Sequence, residues 1–104
     1  MARPAAASWW LYVVRTAGGS LYSGISTDVA RRLQEHEAGV GARSLRGKGP
    51  LALVASWRVG TRSEALTLEA RIKQLPRARK LALLARRRRL DVVREVLAGI
   101  RTLP

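Results

Sequence analysis

The sequence predicts an α+β fold: a small three-stranded, mainly antiparallel sheet with helices packed on it. Three observations carry the prediction. A β-branched and aromatic run, Trp9 to Arg15, is separated from a second, Leu21 to Ile25, by Thr16-Ala17-Gly18-Gly19-Ser20, the pattern of a hairpin. A third run, Leu51 to Val59, alternates with period two, and the chain after Thr61 takes up helical spacing. Short strands followed by helices make a sheet layered with helices. The expected division is a loose lead-in over 1–8, a domain over 9–80 and a basic helical extension over 81–104.

Ser26-Thr27-Asp28 supplies capping oxygens to a helix reaching about Glu37, and Val29, Leu33 and His36 recur on its inward face. Ala38 to Pro50 holds four Gly and one Pro and reads as a loop, made basic by Arg43, Arg46 and Lys48. In the third strand Leu51, Leu53, Ala55, Trp57 and Val59 are expected on one side. Thr61-x-x-Glu64 is a capping box opening a helix to about Leu75, with Leu68, Ile72 and Leu75 as its apolar stripe. Pro76 interrupts it. A further helix is expected over Arg77 to Ala85, then the charge run Arg86 to Arg89. A last helix carries Leu90, Val93, Leu97 and Ile100 inward.

Composition narrows the function. The 104 residues hold 20 Lys and Arg against 7 Asp and Glu, a net charge of +13, so a polyanion is the natural partner. Seventeen of the twenty cations are Arg, whose planar fork grips a phosphate by two bonds at once. From Arg71 to Arg89 there are nine basic residues and no acidic one. With 47% apolar residues the chain is no disordered basic tail. Absence of Cys removes thiolate nucleophiles, disulfides and Cys-based zinc sites, and a single His removes His-rich metal clusters. No apolar run approaches the roughly 18 residues of a membrane span, and Ala5 to Val14 reads as a strand rather than a signal segment. The expectation is a soluble, cytoplasmic protein that binds nucleic acid, DNA above all, without a membrane or an obligate protein partner.

Hydrolysing a phosphodiester needs an activated water, positive charge on the oxyanion and a proton for the leaving oxygen. Few side chains here serve: Tyr12, Tyr22, His36, an Arg and a carboxylate. Tyr12 and Tyr22 fall on one side of the hairpin. Arg32 and His36, at i and i+4, project from one helix face. Glu69 lies at the edge of the Leu68–Ile72–Leu75 stripe with Lys73 and Arg62, partly shielded as a metal ligand would be. Singly, each has a plain structural explanation: core phenols, a core or surface histidine, an i,i+4 ion pair.

As an ordered set they resemble the GIY-YIG endonuclease superfamily, particularly its small single-domain bacterial members. Trp10-Leu11-Tyr12 stands where that family has Gly-Ile-Tyr, and Tyr22-Ser23-Gly24 where it has Tyr-Ile-Gly. Arg32 follows ten residues beyond the second Tyr, His36 four further on, and Glu69 stands in a later helix. The resemblance implies a metal-dependent endonuclease acting on DNA, with branched, damaged or single-stranded forms as its candidate substrates and Tyr12, Tyr22, Arg32, His36 and Glu69 as catalytic residues. Glu69 would hold one Mg²⁺ or Mn²⁺ with water in the other positions. One phenol would take the water's proton, and the sequence does not choose between Tyr12 and Tyr22. Gly24 would admit the phosphate to the strand end, while Lys73 and the loop cations Arg43, Arg46 and Lys48 would hold the substrate. The alternative is a non-catalytic, basic nucleic-acid-binding module on the same fold.

Overall fold

Strand β1 (Trp9–Arg15) forms the middle of the sheet because it alone is apolar on both faces: Leu11, Tyr12, Val13 and Val14 are all buried. It pairs antiparallel with β2 (Leu21–Ser26) on one side and β3 (Ala52–Gly60) on the other, in the order β2-β1-β3. The computed structural model describes residues 7–86 and 88–103. Most of the expected lead-in, residues 1–6, lies outside them, as do Arg87 of the charge run and Pro104. Within it, Ser8 accepts a hydrogen bond from Arg58 Nε at 3.0 Å.

Helix α1 (Val29–Glu37) begins where Asp28 accepts from the Arg31 N–H, 3.1 Å. Helix α2 (Arg62–Gln74) begins at Thr61, which accepts from the Glu64 N–H while its hydroxyl donates to the Glu64 carboxylate. Leu75 ends α2, and Pro76 starts α3 (Arg77–Leu84). Helix α4 (Leu90–Leu97) closes the chain. The 38–50 loop contains one 3₁₀ turn, Arg43–Leu45, that buries Leu45.

Each sheet face carries its own core. On one, Leu11, Val13, Trp57 and Val59 pack with Ala65, Leu68 and Ile72 of α2, Leu83 of α3, and Val93 and Leu97 of α4. The other joins Tyr12 and Val14 to Leu45, Leu51, Tyr22, Val29 and Leu33. The 80/81 boundary falls inside α3, and the helices beyond it complete the first core.

Two sequence expectations are corrected. Leu51, Leu53, Ala55, Trp57 and Val59 do not share a side. Val13 pairs with Ala55 but Val14 with Leu53, so Val54 is an extra residue, a β-bulge that reverses the alternation. Trp57 and Val59 face α2, whereas Leu51 joins Tyr12 and Leu53 is largely exposed. The last apolar stripe also stops early. Gly99, at φ +77°, follows the end of α4, and Ile100 is 79% exposed.

Candidate active site

Tyr12 and Tyr22 stand on the same sheet face because Tyr12 pairs across β1–β2 with Gly24, and Tyr22 with Val14. Their rings are 6.5 Å apart. The Tyr12 ring lies where a side chain on Gly24 would have to be: a Cβ there would come within 2.5 Å of Tyr12 Oη. Gly24 therefore makes room for the phenol itself, a different use from the expected passage for phosphate.

His36 lies over both tyrosines, 2% exposed, with its ring edge-on to Tyr22 at 5.5 Å. Its two nitrogens have different partners. The Ala42 backbone N–H donates to Nδ1 at 3.0 Å, so Nδ1 is the bare nitrogen. The proton of the neutral ring is then on Nε2, which donates to Tyr12 Oη, 2.8 Å away. Gly41 permits this seat, since any Cβ there would collide with His36 Nδ1 and Cα. Burial first, and then the Arg32 guanidinium, hold the His36 pKa below its ordinary value, while Glu35 opposes them.

Tyr12 is equally enclosed. Burial, followed by the neighbouring Tyr22, pushes its phenol up to about 12, and the Glu69 carboxylate adds to the rise. Arg32 pulls the other way through its charge and a hydrogen bond. Tyr12 is thus a neutral phenol at physiological pH. With its oxygen accepting from His36, its own proton is directed elsewhere.

Residues from four elements therefore meet: Tyr12, Tyr22, Arg32 and His36 in one cluster, with Glu69 near enough for its charge to act on Tyr12. Glu69 has 19% of its side chain exposed and forms an ion pair with Lys73 at 3.5 Å. Arg32 also reaches Glu35, 3.6 Å. Arg62, expected beside Glu69, lies over the Trp9 ring at 5.6 Å. Arg43, Arg46 and Lys48 are exposed on the loop that seats His36, and the Lys48 carbonyl ties this loop to the hairpin turn by accepting from the Ala17 N–H. Gly41 and the Ala42 N–H are the site components that sequence reasoning missed; their only signal is a glycine five residues after the histidine.

Among the described residues no three His, Asp or Glu side chains gather as metal ligands. A lone, half-shielded carboxylate suits a hard cation that keeps most of its waters, as Mg²⁺ does, and does not suit zinc.

The sheet and the family match together define a nuclease-type domain. The chain belongs to the GIY-YIG family, whose catalytic-domain model matches residues 8–82. A UPF0213 protein of Yersinia pestis (strain Pestoides F) is 60% identical over 72 residues, 69% of this chain and 76% of that protein. One from Yersinia pseudotuberculosis (serotype O:1b, strain IP 31758) matches with the same figures. The solution NMR structure of a UPF0213 protein from Bacillus halodurans is similar at a TM-score of 0.51 and 38% identity, over 75% of this chain and 83% of that one. No helix among the described residues is long and apolar enough to cross a membrane.

Proposed function

We propose that this protein is a metal-dependent endonuclease that hydrolyses phosphodiester bonds in DNA. The observation that carries the reading is the convergence of Tyr12, His36 and Arg32 with the Glu69 carboxylate in a domain of this family. Glu69 would hold Mg²⁺, or Mn²⁺ in its place. That ion supplies Lewis-acid polarisation of the phosphate.

The chain's own groups do the rest. Arg32 neutralises the charge that grows on the phosphoryl oxygens as water attacks. Tyr22, half-buried and in edge contact with the His36 ring, would take the water's proton as a phenolate, having first given its own proton to solvent. Tyr12 keeps its proton at neutral pH and enters as a hydrogen-bond donor, its oxygen fixed by His36. Lys73 holds Glu69 in the resting protein and turns to the substrate when the carboxylate is engaged. Arg43, Arg46 and Lys48 grip the flanking backbone, a salt-sensitive attraction.

Glu69→Ala is the test. The expected result is loss of Mg²⁺-dependent cleavage over a panel of duplex, branched, damaged and single-stranded DNA, with folding and DNA binding retained. Cleavage that survives the substitution removes Glu69 from the chemistry. A wild-type chain that binds DNA but never cuts it with any metal is instead the non-catalytic binding module, which the Glu69–Lys73 ion pair favours.

A further inference from the structure

A groove of about 450 Å³ runs between β3 and the segment that follows α3, and the mechanism above makes no use of it. Val54, Trp57 and Leu84 line it, and all three pack with the helix-side core, so it lies on the sheet face opposite Tyr12. Four consecutive residues of the strand, Val54 to Trp57, border it, so the groove follows about 13 Å of extended backbone. Arg86 and Arg88 stand on the other bank, and among the described residues the lining contains no carboxylate. Arg88 Nε is closed to solvent without an acceptor, a donor that is costly to leave unmatched. The Trp57 indole N–H donates to the Arg88 carbonyl at 2.9 Å, which fixes that backbone against the strand.

The strand wall of the groove is an open edge, because β3 ends the sheet. Outside the ladder with β1, no backbone–backbone hydrogen bond from a described residue reaches residues 53–57. Edge strands are ordinarily protected by a charge or a proline, and Ala52 to Trp57 holds neither. The Val54 bulge lies at one end of the groove and leaves Ala55 to Trp57 regular. Such an edge presents N–H donors and C=O acceptors together. A polypeptide strand matches both, whereas a DNA backbone has no donor to offer the carbonyls. The guanidinium groups opposite then set the sign of the partner's side chains. A second copy of this chain, at a net charge of +13, would bring like charge to the groove, and an acidic partner would not.

We infer that this groove receives an extended acidic segment of another protein, which adds as a strand to the edge of β3 and sets a carboxylate on Arg88 and Arg86. The inference does not depend on the nuclease reading, and the Tyr12 face stays open while the segment is bound.

The test uses the full chain and, as probe, a capped hexapeptide of alternating Glu and Val. On titration the backbone amides of Ala55 to Trp57 and the Trp57 indole N–H should shift saturably. Arg88→Ala, and separately Arg86→Ala, should weaken binding about tenfold, as loss of a charge-assisted hydrogen bond does. Arg101→Ala, at an exposed cation paired with Glu95, should leave it unchanged. Arg86→Ala keeps the test open if Arg88→Ala fails to fold. The same peptide N-methylated at every residue keeps its charges but cannot donate to the strand, and should lose the shifts. Equal binding of the N-methylated peptide overturns strand addition, as does the absence of any saturable shift with the unmodified one. A single-stranded oligothymidylate that displaces the peptide and reproduces its Trp57 shift overturns the protein partner. Dimerisation that produces those shifts without peptide overturns it in favour of a second copy. None of these outcomes bears on cleavage, which Glu69→Ala tests separately.

Discussion

Tyr12 Oη and His36 Nε2 are 2.8 Å apart, and the hydrogen between them belongs to the histidine, because Nδ1 is occupied by the Ala42 N–H. The imidazole is therefore a donor to the phenol in the resting protein and is not poised to take the phenol's proton. A doubly protonated ring would lose the Ala42 hydrogen bond.

The chain has one histidine, so a ¹⁵N spectrum holds a single imidazole pair. Nε2 is expected as the protonated nitrogen and Nδ1 as the bare one at neutral pH. Because the folded pKa is lowered, the folded state binds the proton more weakly than the unfolded chain. Stability is present above the ordinary value of 6.5 and declines as pH falls below it, levelling off only under the folded pKa. Thermal melts between neutral pH and pH 5 should show this decline, and His36→Gln should flatten it.

Tyr12 behaves in the opposite sense. With its pKa raised to about 12, the folded state holds a proton that the unfolded chain releases near 10. Its contribution is complete below pH 10 and disappears between 10 and about 12. Phenolate absorbance should thus show one of the two tyrosines titrating only near pH 12, and Tyr12→Phe should remove that late step. The same substitution leaves a buried imidazole N–H unmatched and should cost about 1–3 kcal/mol in denaturant melts.

Both close-approach glycines should resist enlargement. Gly24→Ala pushes on the Tyr12 ring and Gly41→Ala on His36, so each should destabilise by about 1–3 kcal/mol. Gly24→Ala should also abolish cleavage. Gly18→Ala, where a Cβ meets only Thr16 Oγ1 at 4.0 Å, should fold normally and keep full activity.

Replacing Arg43, Arg46 and Lys48 together by Ala should reduce the slope of log affinity against log salt by about 2–3 on duplex DNA. Filter-binding titrations across salt concentrations measure it. An unchanged slope would place the phosphate contacts elsewhere.

How much of this was legible beforehand depends on how local each signal is. The hairpin, the caps at Asp28 and Thr61 and the break at Pro76 depend on neighbours in sequence, and they stand where expected. The phenols and His36 follow from strand pairing and helix periodicity. The β3 bulge did not announce itself, because Leu51 to Val59 alternates without interruption and only pairing with Val13 and Val14 ejects Val54. The seat of His36 was hidden for a related reason: Gly41 and Ala42 act through backbone atoms that any loop residue carries. Glu69 was legible as an edge residue, yet its pairing with Lys73 and its influence on Tyr12 both arise in three dimensions.

The irregularity at Val54 makes β3 serve two interiors in succession, first the one beneath Tyr12 and then the one beneath α2. Excising that single amino acid would straighten the ribbon while leaving Leu53 opposite Val14 and Ala55 opposite Val13, because the residue removed is the one β1 does not pair. Leu51 would stay beneath the phenol it now supports, whereas filling the gap with a second inserted residue would turn it away without a single catalytic atom having been touched.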